Sequence, residues 1–209
     1  TAQKTGISGC LFHALKCTNH KLSQFGLKIA GTNYPLIKEW TDRVRASFFL
    51  PRCFFDSAKI LEVPVTPAHS QYAACKNFLD YFKEEWMVHP ETMTCKFMIE
   101  RHRTSNLVES WHRGAMDHFV GTHPPLMDLI KFIQQTELDD FNSLCHYVNK
   151  NEYAKQSNTS KDISTRTLAP MIEFDTLISL RDSQNTEPTS NEIHTYLDKM
   201  VPFCHELTN

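Results

Sequence analysis

Residues 103–113 read Arg-Thr-Ser-Asn-Leu-Val-Glu-Ser-Trp-His-Arg, and they hold the clearest candidate for chemistry, Glu109. On a helix, Val108, Trp111, Ala115 and Phe119 share an apolar stripe, and Glu109 falls about 100° round from Val108, at the stripe's edge. A carboxylate there is partly desolvated and can be aimed into a cleft, which suits a metal ligand or an acid–base group. His112 and Arg113 follow one turn on, and with Arg101 and Arg103 they supply the cationic groups that a DNA backbone would need. A second reading of the same residues is purely structural. Asn106 and Glu109 have the three-residue spacing of a capping box, and the basic residues then form a solvated face.

The pairs Cys10-x-x-His13 and Cys17-x-x-His20 are each half of a metal site, because residues three apart on a helix can share an ion such as zinc. Cys10 and His20 would lie about 15 Å apart along a helix, too far for one ion. Any zinc at Cys10 and His13 would therefore need ligands from elsewhere. The alternative is a set of small buried thiols and hydrogen-bonded histidines.

Helices must position these groups. Leu11, Leu15, Leu22 and Phe25 predict one helix from Cys10 to about Leu27. Pro35 opens a second, bearing Ile37, Trp40, Val44 and Phe48. Pro51 begins a shorter segment, and Val63-Pro64-Val65-Thr66-Pro67 is an extended connector. Tyr72, Cys75, Leu79, Phe82 and Trp86 alternate steps of three and four and predict a buried helix. A helix over 105–120 carries Glu109. Pro124 and Pro125 open another, with Leu126, Leu129, Ile130, Ile133, Phe141, Leu144 and Val148 along it. Residues 153–167 turn polar and read as a mobile linker. An apolar segment from Leu168 to Leu180 follows, then a polar stretch over 181–188 and a short last helix with Thr189 and Glu192 at capping-box spacing. Short strands are conceivable around Lys96–Ile99 or Met171–Phe174.

Composition narrows the function. Of 209 residues, 41% are hydrophobic and 22% charged, as in an ordinary globular protein. No apolar run approaches the roughly 18 residues of a membrane span; the richest, Ala46–Phe55, is cut by Pro51 and Arg52. The N-terminus has no apolar signal core, so a soluble intracellular protein is expected. The chain starts at Thr1, without a Met, and reads as a piece of a longer protein. Seven scattered cysteines do not make a disulfide framework. A formal net charge of −2 argues against this chain gripping nucleic acid tightly by itself. There is no phosphate-binding glycine loop, dinucleotide fingerprint or nucleophile elbow.

Three ordered segments resemble the C-terminal part of Mutator-like transposases and the host proteins derived from them. Gly9-Cys10-Leu11-Phe12-His13 is similar to that family's G-C-x-F-H, and Tyr81-Phe82-Lys83-Glu84-Glu85-Trp86 to its Y-F-E-x-x-W. The run from Arg103 to His112, with His123-Pro-Pro-Leu126 and Phe132-Ile-Gln-Gln-Thr-Glu137, resembles its R-T-N-N-x-V-E-x-W-H and following segment. The sequence departs from these patterns at Ser105 (commonly Asn), Ser110 (often Gly) and Asp128 (commonly Trp). The resemblance covers roughly residues 9–137.

The resemblance implies a mainly α fold: the helical insertion and closing helix of a ribonuclease-H-like transposase core, over residues 1–152. After the linker, residues 168–209 would form a small helical tail. It implies DNA transposition by Mg2+-dependent phosphoryl transfer in a nuclear parent protein that binds DNA and could self-associate. Glu109 would be the third of three metal-binding carboxylates, with Cys10 and His13 structural. The first two acids of the family lie upstream of G-C-x-F-H, yet residues 1–8 contain no Asp or Glu. Two metals about 3.5–4 Å apart cannot be organised by one helix-borne carboxylate. This chain alone is therefore expected to be inactive. The rival expectation is a non-catalytic helical DNA- or protein-interaction module derived from such an enzyme.

Overall fold

The computed structural model describes residues 9–87, 97, 106–119, 124–150 and 158–208, and among them the chain is mainly α-helical. It forms two compact units, one of Thr1–Thr104 with Asp162–Asn209 and the other of Ser105–Lys161.

The first unit is built on α1 (Leu11–Gln24), α2 (Leu27–Asn33), α3 (Pro35–Ala46) and α4 (Tyr72–Trp86). Where the sequence predicts one helix to Leu27, the chain turns at Gly26, whose φ of 72° is left-handed. Glycine takes that conformation without a Cβ penalty. The N–H groups of Phe25 and Gly26 donate back to Lys21 and Ser23, closing α1. Tyr34 is extended, as a residue before proline must be, and Pro35 then starts α3 as expected. Gly31 of α2 faces α3, and a Cβ there would meet the Lys38 side chain at 3.5 Å, an ordinary contact distance. After α3 come two 3-10 turns, Ser47–Phe49 and Arg52–Phe54, on either side of Pro51. The stripe of α4 buries Cys75, Phe78, Leu79 and Phe82 as its spacing predicts.

The C-terminal helices belong to the same core. The next helix of this unit, which we number α7 in chain order, spans Asn158–Ser183, and α8 spans Ser190–Glu206. Met171, Phe174, Ile193, Leu197 and Met200 are buried in one cluster with Leu11, Ile37, Phe49 and Phe78. Residues 168–209 are thus part of the first unit, which differs from the separate tail expected. The helix also runs through 158–167, where a linker was expected, and it contains Met171–Phe174, considered above as a strand. The reason is tertiary. Thr167, Met171 and Phe174 follow a four-then-three step and are all buried. Arg166 grips Glu206 through two bonds of 2.9–3.0 Å. Those contacts hold a polar stretch helical although its composition resembles a loop. Pro170 and Pro202 each remove one helical hydrogen bond, which packing must offset. At the start of α8 the predicted capping box forms: the Glu192 amide donates to the Thr189 hydroxyl, and Glu192 accepts from the Thr189 amide. With 17 residues, α8 is longer than the short helix expected.

The second unit contains α5 (Asn106–His118) and α6 (Leu126–Lys150), both close to their expected spans. No described helix is long and apolar enough to cross a membrane.

Candidate functional site

Glu109 lies in the first turns of α5, so the segment that carries it is a helix as the sequence predicts. Its side chain, and with it the choice between an open groove and a capping box with Asn106, lies outside the described residues, as do Arg101 and Arg103. His112 and Arg113 follow on the same helix at the three- and four-residue spacings that share a face with position 109, and both are exposed.

What fixes this face is the seam between α5 and α6. Ala115, on the side of α5 opposite Arg113, is buried, and Phe119, just past the end of the helix, is half-buried. Phe132 of α6 is the hub. Its ring centroid is 6.0 Å from Trp111, 4.8 Å from His118 and 5.3 Å from Phe119. Aromatic rings at such separations and tilts attract beyond their buried area, by about 0.5–1.5 kcal/mol per pair. Trp111 touches Phe132 yet keeps 38% of its surface exposed, more than an inward-facing core residue would.

Cys10 and His13 belong to the first unit. Cys10 is the residue that precedes α1, with extended backbone, and His13 is exposed on the helix. Cys17 and His20 are exposed one and two turns further on. Among the described residues no group of three or more His, Cys, Asp or Glu side chains is placed to hold a metal ion.

The first unit holds a charged cluster that the sequence reading passed over. Asp42 and Arg45 are buried on α3 and form an ion pair. Lys38 donates to the other Asp42 oxygen at 2.8 Å. Arg45 also reaches the Asn19 side-chain oxygen of α1 at 3.2 Å and the His205 Nε2 of α8 at 3.1 Å. A guanidinium can only donate, so His205 Nε2 must offer its lone pair, and the ring is neutral with its proton on Nδ1. Burial lowers the His205 pKa below its usual value, and the neighbouring Arg45 charge adds to this against the opposing pull of Asp42. Cys204 next to this network is pushed up to about 12 by burial, so it is an inert thiol. The signal in the sequence was the i, i+3 spacing of Asp42 and Arg45 among Trp40, Thr41 and Val44, charges set on an apolar face. The cluster ties α1, α3 and α8 together.

A shallow groove of about 210 Å³ between α7 and α8 is lined by Phe174, Leu177, Tyr196 and the Glu173–Lys199 ion pair. The Phe174 and Tyr196 rings stack at 4.3 Å, and the Tyr196 hydroxyl donates to the Phe49 carbonyl at 2.7 Å. Both rings are structural posts, and the Tyr196 hydroxyl is already engaged.

No known protein family, curated protein or solved structure matches this chain.

Proposed function

We propose that this chain is the helical part of a Mutator-like DNA transposase, or of a host protein derived from one, in which Glu109 supplies one of three metal-binding carboxylates. The observation that supports this reading most is the contact between Trp111 and Phe132. Each ring comes from a different one of the segments that resemble the family, and the two segments pack on each other as one helix pair. Glu109 then stands on a helix whose orientation is fixed by that seam, with His112 and Arg113 one turn away to meet a phosphate. The ribonuclease-H-like core and two further acids would come from outside the described residues. Paired divalent metals would activate the attacking oxygen and stabilise the leaving one. Arg101 and Arg103 would join His112 and Arg113 against the DNA backbone, and a nuclear site of action follows from that substrate.

The test uses the full-length gene product that contains this chain, a supercoiled plasmid, and Mg2+ or Mn2+. Metal-dependent strand cleavage is expected, with a loss of about 100-fold or more in Glu109→Gln, the scale on which single catalytic groups act. The circular dichroism of the variant should match the parent. Cleavage unchanged by Glu109→Gln, or a full-length protein that never cleaves, would remove the catalytic reading.

The second reading is a non-catalytic helical interaction module. Its support is the length of apolar surface that α6 leaves open, and the near-neutral charge, which provides little phosphate affinity.

A further inference from the structure

Helix α6 has two apolar faces, and α5 occupies only one. Leu126, Ile130, Ile133, Phe141, Leu144 and Val148 are each between 36% and 70% exposed, far more than side chains of this kind keep when packed. At 100° per residue they fall within about 40° of a common line, whereas Phe132, the residue that meets α5, lies about 140° away. Among the described residues of the second unit, none covers this stripe. It runs from Leu126 to Val148, about 33 Å of helix.

The stripe is marked by charge. Glu137 sits at its centre, eleven residues from Leu126 and eleven from Val148, and Asp140 lies on its margin. Both are exposed, and neither has a cationic partner among the described residues. The central position decides against a second copy of this helix as the occupant. An antiparallel copy centred on the stripe brings Glu137 opposite Glu137, and so does a parallel copy in register. Like charges facing one another within an apolar seam repel, and such pairs are the usual device by which helices reject a wrong partner. A helix of a different protein with a Lys or Arg in the middle of its apolar face meets no such conflict. The long aliphatic stem of either residue would also cover the apolar surface around Glu137 while its charge reaches the carboxylate.

We infer that the exposed face of α6 is a docking surface for an amphipathic helix of another protein, one that carries a basic residue at the centre of its apolar stripe. The inference is independent of any catalytic role for Glu109.

The experiment measures fluorescence anisotropy of two labelled synthetic peptides titrated with the full chain. Both are 23-residue Leu-striped helices, identical except for Lys or Glu at the central stripe position. The Lys peptide should bind about tenfold more tightly than the Glu peptide, the scale of exchanging an attractive for a repulsive contact. Glu137→Lys in the chain should invert the preference. Phe141→Asp should weaken both peptides while the helical circular dichroism stays unchanged, because Phe141 is exposed. Equal affinity for the two peptides, a preference that Glu137→Lys fails to invert, or no binding of either would overturn the inference. So would sedimentation of the chain as a dimer that Phe141→Asp dissociates, since the occupant would then be a second copy.

Discussion

Replacing Asp42 with Asn tests whether the charged cluster of the first unit is truly desolvated. The substitution keeps shape and volume, and an amide oxygen can still accept from Arg45, so what it removes is charge. The side chains of Asp42 and Arg45 are only 11% and 9% exposed. At about 4 Å and an effective dielectric near 20, a unit pair attracts by about 4 kcal/mol. The neutral neighbours Asn19 and His205 recover part of this, and the loss should be about 2–3 kcal/mol. Lys38 contacts the same carboxylate, but it is 64% exposed, so Lys38→Ala should cost under about 1 kcal/mol.

Fluorescence in urea can isolate the effect. The chain has three tryptophans, and Trp40 and Trp86 belong to the first unit whereas Trp111 belongs to the second. In a Trp111→Phe background the signal therefore reports the first unit alone. With a slope of about 2 kcal/mol per molar urea, Asp42→Asn should lower the midpoint by about 1–1.5 M. A double variant, Asp42→Leu with Arg45→Met, should recover most of the loss, because an apolar pair leaves no stranded charge. A midpoint shift no larger than that of Lys38→Ala would refute the argument, as would a double variant weaker than Asp42→Asn alone.

The same cluster sets a pH dependence. The folded pKa of His205 lies below its usual 6.5, so as pH falls from 7 the unfolded chain takes up the proton first. Stability contributed by neutral His205 is present above about pH 6.5 and lost as pH drops through the folded value. Urea titrations at several pH values should show a shallower decline in His205→Gln than in the parent. Two glycine substitutions provide a matched pair. Gly26→Ala should cost about 1–2 kcal/mol by thermal or urea unfolding, because φ is +72° although no atom lies within 4 Å of the new Cβ. Gly31→Ala, inside α2 and meeting Lys38 only at ordinary contact distance, should be neutral or stabilising by up to about 1 kcal/mol.

Much of the mainly α fold was legible wherever local chemistry and tertiary burial agree. Pro35 marks the start of α3, the three-and-four stepping from Tyr72 to Trp86 marks α4, and Thr189 with Glu192 marks the start of α8. The sequence was opaque where one residue's backbone or a distant contact decides. Gly26 breaks what apolar spacing alone presents as one helix, because periodicity carries no sign of a left-handed φ. The helix over 158–167 is invisible to composition, since its order comes from burial of Thr167 and the Arg166–Glu206 grip, 40 residues apart in sequence. Of the candidate site, sequence placed Glu109, His112 and Arg113 on one helix, and that is where they are. It could not reveal the Asp42–Arg45–His205 network, whose members come together only when α3 meets α8.

The second unit assigns its two proposed roles to different helix faces, and this makes them separable. Glu109 belongs to α5, and the Trp111–Phe132 contact between α5 and α6 uses one side of α6. The stripe centred on Glu137 uses another side, about 140° away. A perturbation of one face should leave the other intact, since Phe141→Asp changes no residue in the aromatic seam and Glu109→Gln changes none in the stripe. Crossing the two variants in the full-length protein therefore gives four distinct outcomes. Loss of cleavage only in Glu109→Gln with loss of peptide binding only in Phe141→Asp supports both proposals. Loss of cleavage in Phe141→Asp as well would mean that the exposed face of α6 also serves the cleavage reaction. Peptide binding without any cleavage would leave α6 as the working surface, and the transposase-like segment would then serve to brace it. Neither activity would leave the helix pair as scaffold alone.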